Sequence, residues 1–162
     1  MNCSVRYLSI LVATVALAAP ALASPHAGDV APPFSLGKPS GGKVALQDFK
    51  GRPLYINFFA SWCTPCNEEA SAIARLYRAY HGRGLTIVGV DELEDASKAN
   101  GFARKYKWLF PVGLDADGTT ARDYGALGLP TQIFVDRQGR VSTYRLGVMD
   151  PGEIEDAIRK IL

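Results

Sequence analysis

Leu54-Tyr55-Ile56-Asn57-Phe58-Phe59-Ala60-Ser61-Trp62-Cys63-Thr64-Pro65-Cys66 is the stretch that decides how this chain is read. Its first six residues form a short, nearly continuous apolar run, which reads as a buried strand. Past the second cysteine, Ala70, Ile73, Ala74 and Tyr77 fall at i, i+3, i+4 and i+7, a spacing that predicts a helix to about Tyr80. Two cysteines in a C-x-x-C spacing therefore stand where a buried strand feeds a helix. A sulfur at a helix start faces unpaired N–H groups and the positive end of the dipole. Both favour the thiolate, which is the nucleophilic form. A thiol with pKa near 8.5 is roughly 3% ionised at pH 7, and lowering the pKa to about 7 makes that roughly half. Cys66, one turn inward, is placed to attack a mixed disulfide formed at Cys63.

Outward from this stretch, strand and helix patterns alternate. Leu85 to Val90 is a second buried strand, and Ala99, Phe102, Ala103 and Tyr106 repeat the helical spacing. Pro111 to Leu114 is a short strand candidate, and Ala121 and Tyr124 sit on a short helix ending near Gly125. Thr131 to Asp136 is a strand, Arg137-Gln138-Gly139 a turn, and Arg140 to Leu146 the hairpin partner. The last helix has Asp150 to cap it, Pro151 at N1, Glu153 at N3 and an apolar stripe of Ile154, Ala157, Ile158 and Ile161. Residues 24–43, with Pro25, Pro32, Pro33, Pro39, Gly41 and Gly42, read as an irregular lead-in. This order predicts an α/β fold, a central mixed sheet with helices on both faces, built by residues 24–162 as one domain.

Composition agrees with a globular chain: 162 residues, 48% hydrophobic and 21% charged. A formal net charge of +2 with no Lys/Arg run gives no reason to expect nucleic acid. Residues 1–23 differ from the rest. Arg6 precedes the apolar run Tyr7 to Ala19, and Pro20 and Ala21-Leu22-Ala23 follow. That is the pattern of a signal peptide cut after Ala23. The run of about 13 residues falls short of the roughly 20 a spanning helix needs, and an uncleaved anchor is the alternative. Cys3 leaves with the leader, so Cys63 and Cys66 alone meet the oxidising conditions of an exported space.

Other uses of a cysteine pair fit less well. Closing a four-residue loop stabilises by about 2 kcal/mol on the loop-closure model, against ~3 for fifteen residues, so a structural staple gains little. Structural zinc wants four ligands, and His26 and His81 offer no familiar zinc spacing with the pair. Haem attachment needs His directly after the second cysteine, where Asn67 stands. Thiolates suit Cu(I), but no His follows His81. A copper-binding maturation factor and a non-enzymatic redox sensor stay open, as does a thiol oxidase or isomerase. No organic cofactor is indicated.

These motifs together resemble the TlpA/ResA-like branch of the thioredoxin superfamily. The likeness runs from Ala31-Pro32-Pro33-Phe34 to the final helix. Val44 to Gly51 is similar to the branch's short strand and turn, and Asn57 to Cys66 to its active-site strand and motif. Ile87 to Val90 with the helix to Tyr106 is similar to its strand–helix insertion, and Gly128-Leu129-Pro130-Thr131 to its cis-proline loop. The resemblance implies a thioredoxin fold and a protein disulfide reductase. Its clients would be apocytochrome c or copper-site apoproteins, its electron donor a membrane thiol carrier. A periplasmic or otherwise exported monomer with transient membrane association completes the expectation.

The resemblance also assigns roles. Cys63 attacks and Cys66 resolves. Pro130 is the cis-proline beside the sulfurs, and Leu129 offers its backbone to a client strand. Trp62 shapes the contact surface and Pro65 removes a backbone donor near the cysteines. Asn57 stands where thioredoxins have a buried Asp, and is expected as a buried amide bonded to backbone. Glu69, three residues past Cys66, becomes the candidate proton acceptor or pKa tuner. If its side chain is partly exposed, replacing it should barely touch stability. Ser71 stands where the branch often carries proline. The cluster Asp91, Glu92, Glu94, Asp95 is expected as a solvated loop and helix start.

Overall fold

The computed structural model describes residues 24–162, and the expected leader lies outside them. In chain order the elements are β1 (Ser35–Gly37), β2 (Lys43–Ala45), β3 (Leu54–Phe59), α1 (Thr64–Tyr80), β4 (Thr86–Glu92) and α2 (Ala96–Lys105). Then come β5 (Val112–Asp115), α3 (Thr119–Asp123), β6 (Thr131–Val135), β7 (Val141–Leu146) and α4 (Pro151–Ile161). The seven strands make one sheet in the order β2-β1-β5-β4-β3-β6-β7. β3 runs parallel to β4 and antiparallel to β6, so the sheet is mixed as expected.

The apolar run of β3 follows from its place. It has a strand on each edge and helices or loops over each face, and all six residues are buried. Alternation sends Tyr55, Asn57 and Phe59 to one face and Leu54, Ile56 and Phe58 to the other. Tyr55 and Phe59 pack with α1, α2 and α4 through Ala70, Ile73, Phe102, Ile154 and Ile158. Ile56 and Phe58 pack with Val88, Val90, Ile133 and, from the α3 side, Ala121 and Tyr124. α4 has the capping box anticipated from Asp150 and Glu153. α1 runs unbroken through Ser71.

The lead-in is more ordered than its prolines and glycines suggest. Ser35–Gly37 pairs with β2 and, through Gly37 and Leu114, with β5. Phe34, Leu36 and Val44 enter the core. Three-residue strands carry too few positions for a periodic signal, and the β5 partner of β1 is distant in sequence. Gly113 makes the contact possible, since a Cβ there would stand 2.8 Å from Leu36 Cβ.

Gly89 performs a similar service on β4. A Cβ there would meet the Trp108 ring at 2.7 Å and Phe59 at 3.1 Å. Trp108 has little freedom to move, because its indole N–H donates to the Ala70 carbonyl of α1 at 3.0 Å. Gly89→Ala is expected to destabilise the protein by about 1–3 kcal/mol. Urea unfolding checks this, and an unchanged midpoint would show that Trp108 yields freely.

Candidate functional site

Cys63 is the N-cap residue of α1, with extended backbone, and Cys66 lies in the first turn. The two sulfurs form a disulfide with a Cα–Cα distance of 5.3 Å. The Cys66 N–H donates to Cys63 Sγ at 3.2 Å, so an orphan amide of the helix start points at that sulfur. Cys63 is 4% exposed and Cys66 2%. Thr64 is exposed and Pro65 half-buried at N2, where a missing N–H leaves no intrahelical bond unmade.

Around the pair, Trp62 stands 68% exposed. The Leu129–Pro130 bond is cis, Pro130 is buried and Leu129 half-buried. Trp62, Leu93, Leu127 and Leu129 line a groove of about 410 Å³ with Glu92 and Arg122. A larger cavity of about 930 Å³ opens elsewhere, between Phe34, Phe49, Leu54 and Val135, and neither cysteine lines it. It begins at Leu54, the end of β3 remote from Cys63.

Glu69 is on α1 as expected, yet it is only 5% exposed. The expectation that its replacement would spare stability, framed for a partly exposed side chain, does not apply. Its Oε1 accepts from Asn57 Nδ2 at 3.2 Å and its Oε2 from Gln132 Nε2 at 3.1 Å. Asn57 is buried as anticipated, but its amide donates to side chains, Glu69 and Tyr55, and not to backbone. Tyr55 O–H in turn donates to Gln132 Oε1 at 2.5 Å. Burial pushes the Glu69 carboxyl up to about 7, against the pull of the Asn57, Met149 and Gln132 donors. Glu69 makes no hydrogen bond to either cysteine. It lies on the buried face of α1, within a polar cluster that also reaches the backbone at Gly147 and Met149.

Sequence reasoning missed four members of this neighbourhood. Tyr55 and Gln132 complete the Glu69 cluster, and they read only as members of a buried strand and of a hairpin strand. Asn67 donates to the carbonyls of Ser61 and Cys63 at 3.0 and 2.8 Å and accepts from Tyr106 O–H at 2.6 Å. It fastens the cysteine turn to the end of α2. Glu94 accepts from Ser61 N–H and Oγ–H. The acidic cluster is thus only partly solvated. Asp95 caps α2 in the open as expected, but Asp91 and Glu94 are buried. Spacing in sequence carries no sign of a carboxylate that folds back on a distant turn.

The AhpC/TSA family pattern matches residues 27–144. The thiol-disulfide oxidoreductase ResA of Bacillus thuringiensis subsp. konkukian is 33% identical, over 83% of this chain and 78% of its own. A Chlorobium tepidum chain with the provisional name thiol:disulfide interchange protein DsbE superposes with a TM-score of 0.79 and 31% identity, over 85% of this chain and 99% of its own. A secreted Mycobacterium tuberculosis disulfide oxidoreductase homologous to DsbE superposes at 0.71 with 25% identity, over 78% of this chain and 95% of its own. The fold is that of thioredoxin, as the motifs implied.

Glu69 generates a pH prediction. Its folded pKa lies above its unfolded value, so the native chain keeps a proton that the unfolded chain releases. Stability therefore falls as pH rises from about 4.5 to about 7. Glu69→Gln removes that loss. Relative to the parent, the variant is expected to gain roughly 2–4 kcal/mol between pH 4.5 and 8. Urea unfolding of the oxidised proteins at both pH values reads the difference, and parallel pH curves would refute it.

Proposed function

The chain belongs to the AhpC/TSA family and is a thiol–disulfide oxidoreductase of the ResA and DsbE type, and on that premise we propose that it is an exported reductase of disulfides in client proteins. The observation that carries this is the Cys63–Cys66 pair at the start of α1, with a helix amide on Cys63 Sγ. Once the pair is reduced, that amide and the dipole favour a thiolate at Cys63. The thiolate attacks one sulfur of a client disulfide, and the other client sulfur leaves and takes a proton. Cys66 then gives up its proton and attacks Cys63 Sγ, the mixed disulfide breaks, and the second client sulfur leaves and is protonated in turn. Two electrons and two protons pass to the client, and the Cys63–Cys66 disulfide re-forms. A membrane thiol carrier restores the dithiol.

Glu69 supports the proton step. A buried carboxyl near neutrality, joined to Asn57 and Gln132, is suited to exchange a proton at working pH. Trp62, Leu127 and Leu129 supply an apolar surface, and Leu129 at the cis-Pro130 loop offers backbone to an extended client segment. The leader pattern in residues 1–23 and the secreted relative support export, with Ser24 as first mature residue. Among the described residues no helix is long and apolar enough to cross a membrane. Clients of the cytochrome c or copper-site apoprotein type are the ones the TlpA/ResA-like motifs favour.

Exchange of the two cysteines tests the roles. Cys66→Ser is expected to accumulate mixed disulfides at Cys63 on a chain beginning at Ser24, while Cys63→Ser accumulates none and loses turnover. The reverse pattern would reverse the roles. Direction is decided by the midpoint potential. The uncharged Thr64-Pro65 dipeptide supports a value nearer about −270 mV than about −120 mV, a gap of roughly 7 kcal/mol for two electrons. Glutathione titration measures it, and a midpoint above about −180 mV would favour the oxidase or isomerase reading.

A further inference from the structure

From the end of β4 the chain runs Asp91-Glu92-Leu93-Glu94-Asp95, with four carboxyls in five residues. Asp91 is 0% exposed, and among the described residues neither of its carboxyl oxygens meets a hydrogen-bond donor. Glu94 is 7% exposed, with Oε2 accepting from Ser61 N–H at 2.5 Å and Oε1 from Ser61 Oγ–H at 2.8 Å, which leaves each oxygen room for a further donor. Lys98 Nζ stands 3.8 Å from Glu94 Oε1. The sheet neighbours of Asp91 are Phe59 on β3 and Leu114 on β5, neither of them titratable. The charged groups that reach Asp91 are Glu94, Asp95 and Lys98, from the turn and α2. Nearby Glu92 pairs across the sheet with Asp115 on β5, whose charge adds to burial in raising its pKa.

An ionised carboxylate buried without donors is costly, whereas a protonated one has a hydrogen to give. The acceptor facing Asp91 is the Glu94 carboxylate. Leu93 makes that meeting possible. Its backbone is left-handed, with φ 59, and its N–H is tied to the Asp115 carbonyl at 3.0 Å. The chain thereby doubles back and brings Glu94 to Ser61. A non-glycine residue keeps such a conformation only where its surroundings fix it.

We propose that Asp91 and Glu94 form a proton-sharing carboxyl pair that positions the cysteine turn: Asp91 donates to Glu94, and Glu94 grips Ser61 by its amide and its hydroxyl. Ser61 lies two residues before Cys63, and Asn67 holds its carbonyl from the other side. Neither carboxyl touches a reacting atom, so both are positioning residues. Burial, and then the Glu94 charge, lifts Asp91 to about 7. Above that pH the pair carries a second negative charge and loses its internal bond. The grip on Ser61 then loosens and a thiolate at Cys63 becomes less favourable. This rests on the proposed function only in taking Cys63 as the reactive sulfur.

Two measurements test the pair without a client, so failure of the reductase reading leaves them intact. The first follows alkylation of Cys63 by iodoacetamide from pH 5 to 9 in the reduced protein. Glu69→Gln is the background, which removes the other carboxyl lifted to about 7 behind α1. There the protein with Asp91 intact should need two ionisations to fit the rate profile. Asp91→Asn, which keeps a donor for Glu94 but cannot titrate, should need one. Asp91→Ala should change the rate at pH 6 by roughly threefold to tenfold, as expected for a lost buried hydrogen bond, and Asp91→Asn should restore it. A single-ionisation profile with Asp91 present, or equal rates for the Ala and Asn variants, overturns the proposal. The second measurement uses the unsubstituted oxidised protein with 13C-labelled aspartate. The Asp91 carboxyl carbon should titrate near pH 7, and titration near pH 4, as for an exposed aspartate, overturns the proposal even if the variants do not fold.

Discussion

A helix start leaves amide hydrogens with no partner inside the helix, and in this chain a sulfur meets one of them. The Cys66 N–H lies 3.2 Å from Cys63 Sγ. That contact survives only if the residue before the helix stays extended and the helix does not slide. β3 fixes one side, since both its edges are paired and none of its residues is exposed to any useful degree. α1 is fixed on the other by the Trp108 indole on the Ala70 carbonyl and by Ile73 packed toward α4 and the sheet. Between them lie four residues, Ala60 to Cys63, with no regular partners of their own. Their polar backbone is answered by Glu94 on one side and Asn67 on the other. The reactive turn is thus irregular, yet the backbone of its buried residues is held at Ser61 and Cys63.

Behind α1 the protein buries four polar side chains, Tyr55, Asn57, Glu69 and Gln132. Any one alone would be costly, but each answers another. The amide at Asn57 matters here. A carboxyl on that strand, as in thioredoxins, would put its charge on β3. With Asn57 in its place, the strand donates and the carboxyl comes from the helix, three residues beyond Cys66. Burial outweighs three donors and leaves Glu69 near neutrality. The group therefore changes its charge close to neutral pH.

Fold and reactive pair were legible because their signals are local. The β3 run, the i, i+3, i+4 stripe of α1, the C-x-x-C between them and the cap of α4 each lie within a dozen residues. β1 was not legible, since its three residues become a strand only by meeting β2 and the Gly113 notch of β5. Glu69 was legible as a position and not as an environment, because its partners Asn57 and Gln132 lie 12 and 63 residues away. The acidic run at Asp91 misled for the same reason. Charge clustered in sequence suggests solvent, yet Glu94 is drawn inward by Ser61, 33 residues earlier.

Leu93 joins the two sides of the site. Its left-handed backbone brings Glu94 to Ser61, while its own side chain stands 61% exposed in the groove shared with Trp62 and Leu127. One turn therefore supports the start of Trp62-Cys63 from below and forms a wall of the surface beside it. The same turn thus ties a wall of the groove to the residues that hold Ser61, two residues before Cys63. Flexible side chains would blur such a link; a strained turn tied to Asp115 and to the β4–β5 register does not. This also accounts for Asp91. An apolar residue at that strand end would cost the fold less than a carboxyl with no donors, but it could not hold Glu94 in line. Local stability is given up where the geometry of the reactive turn is fixed.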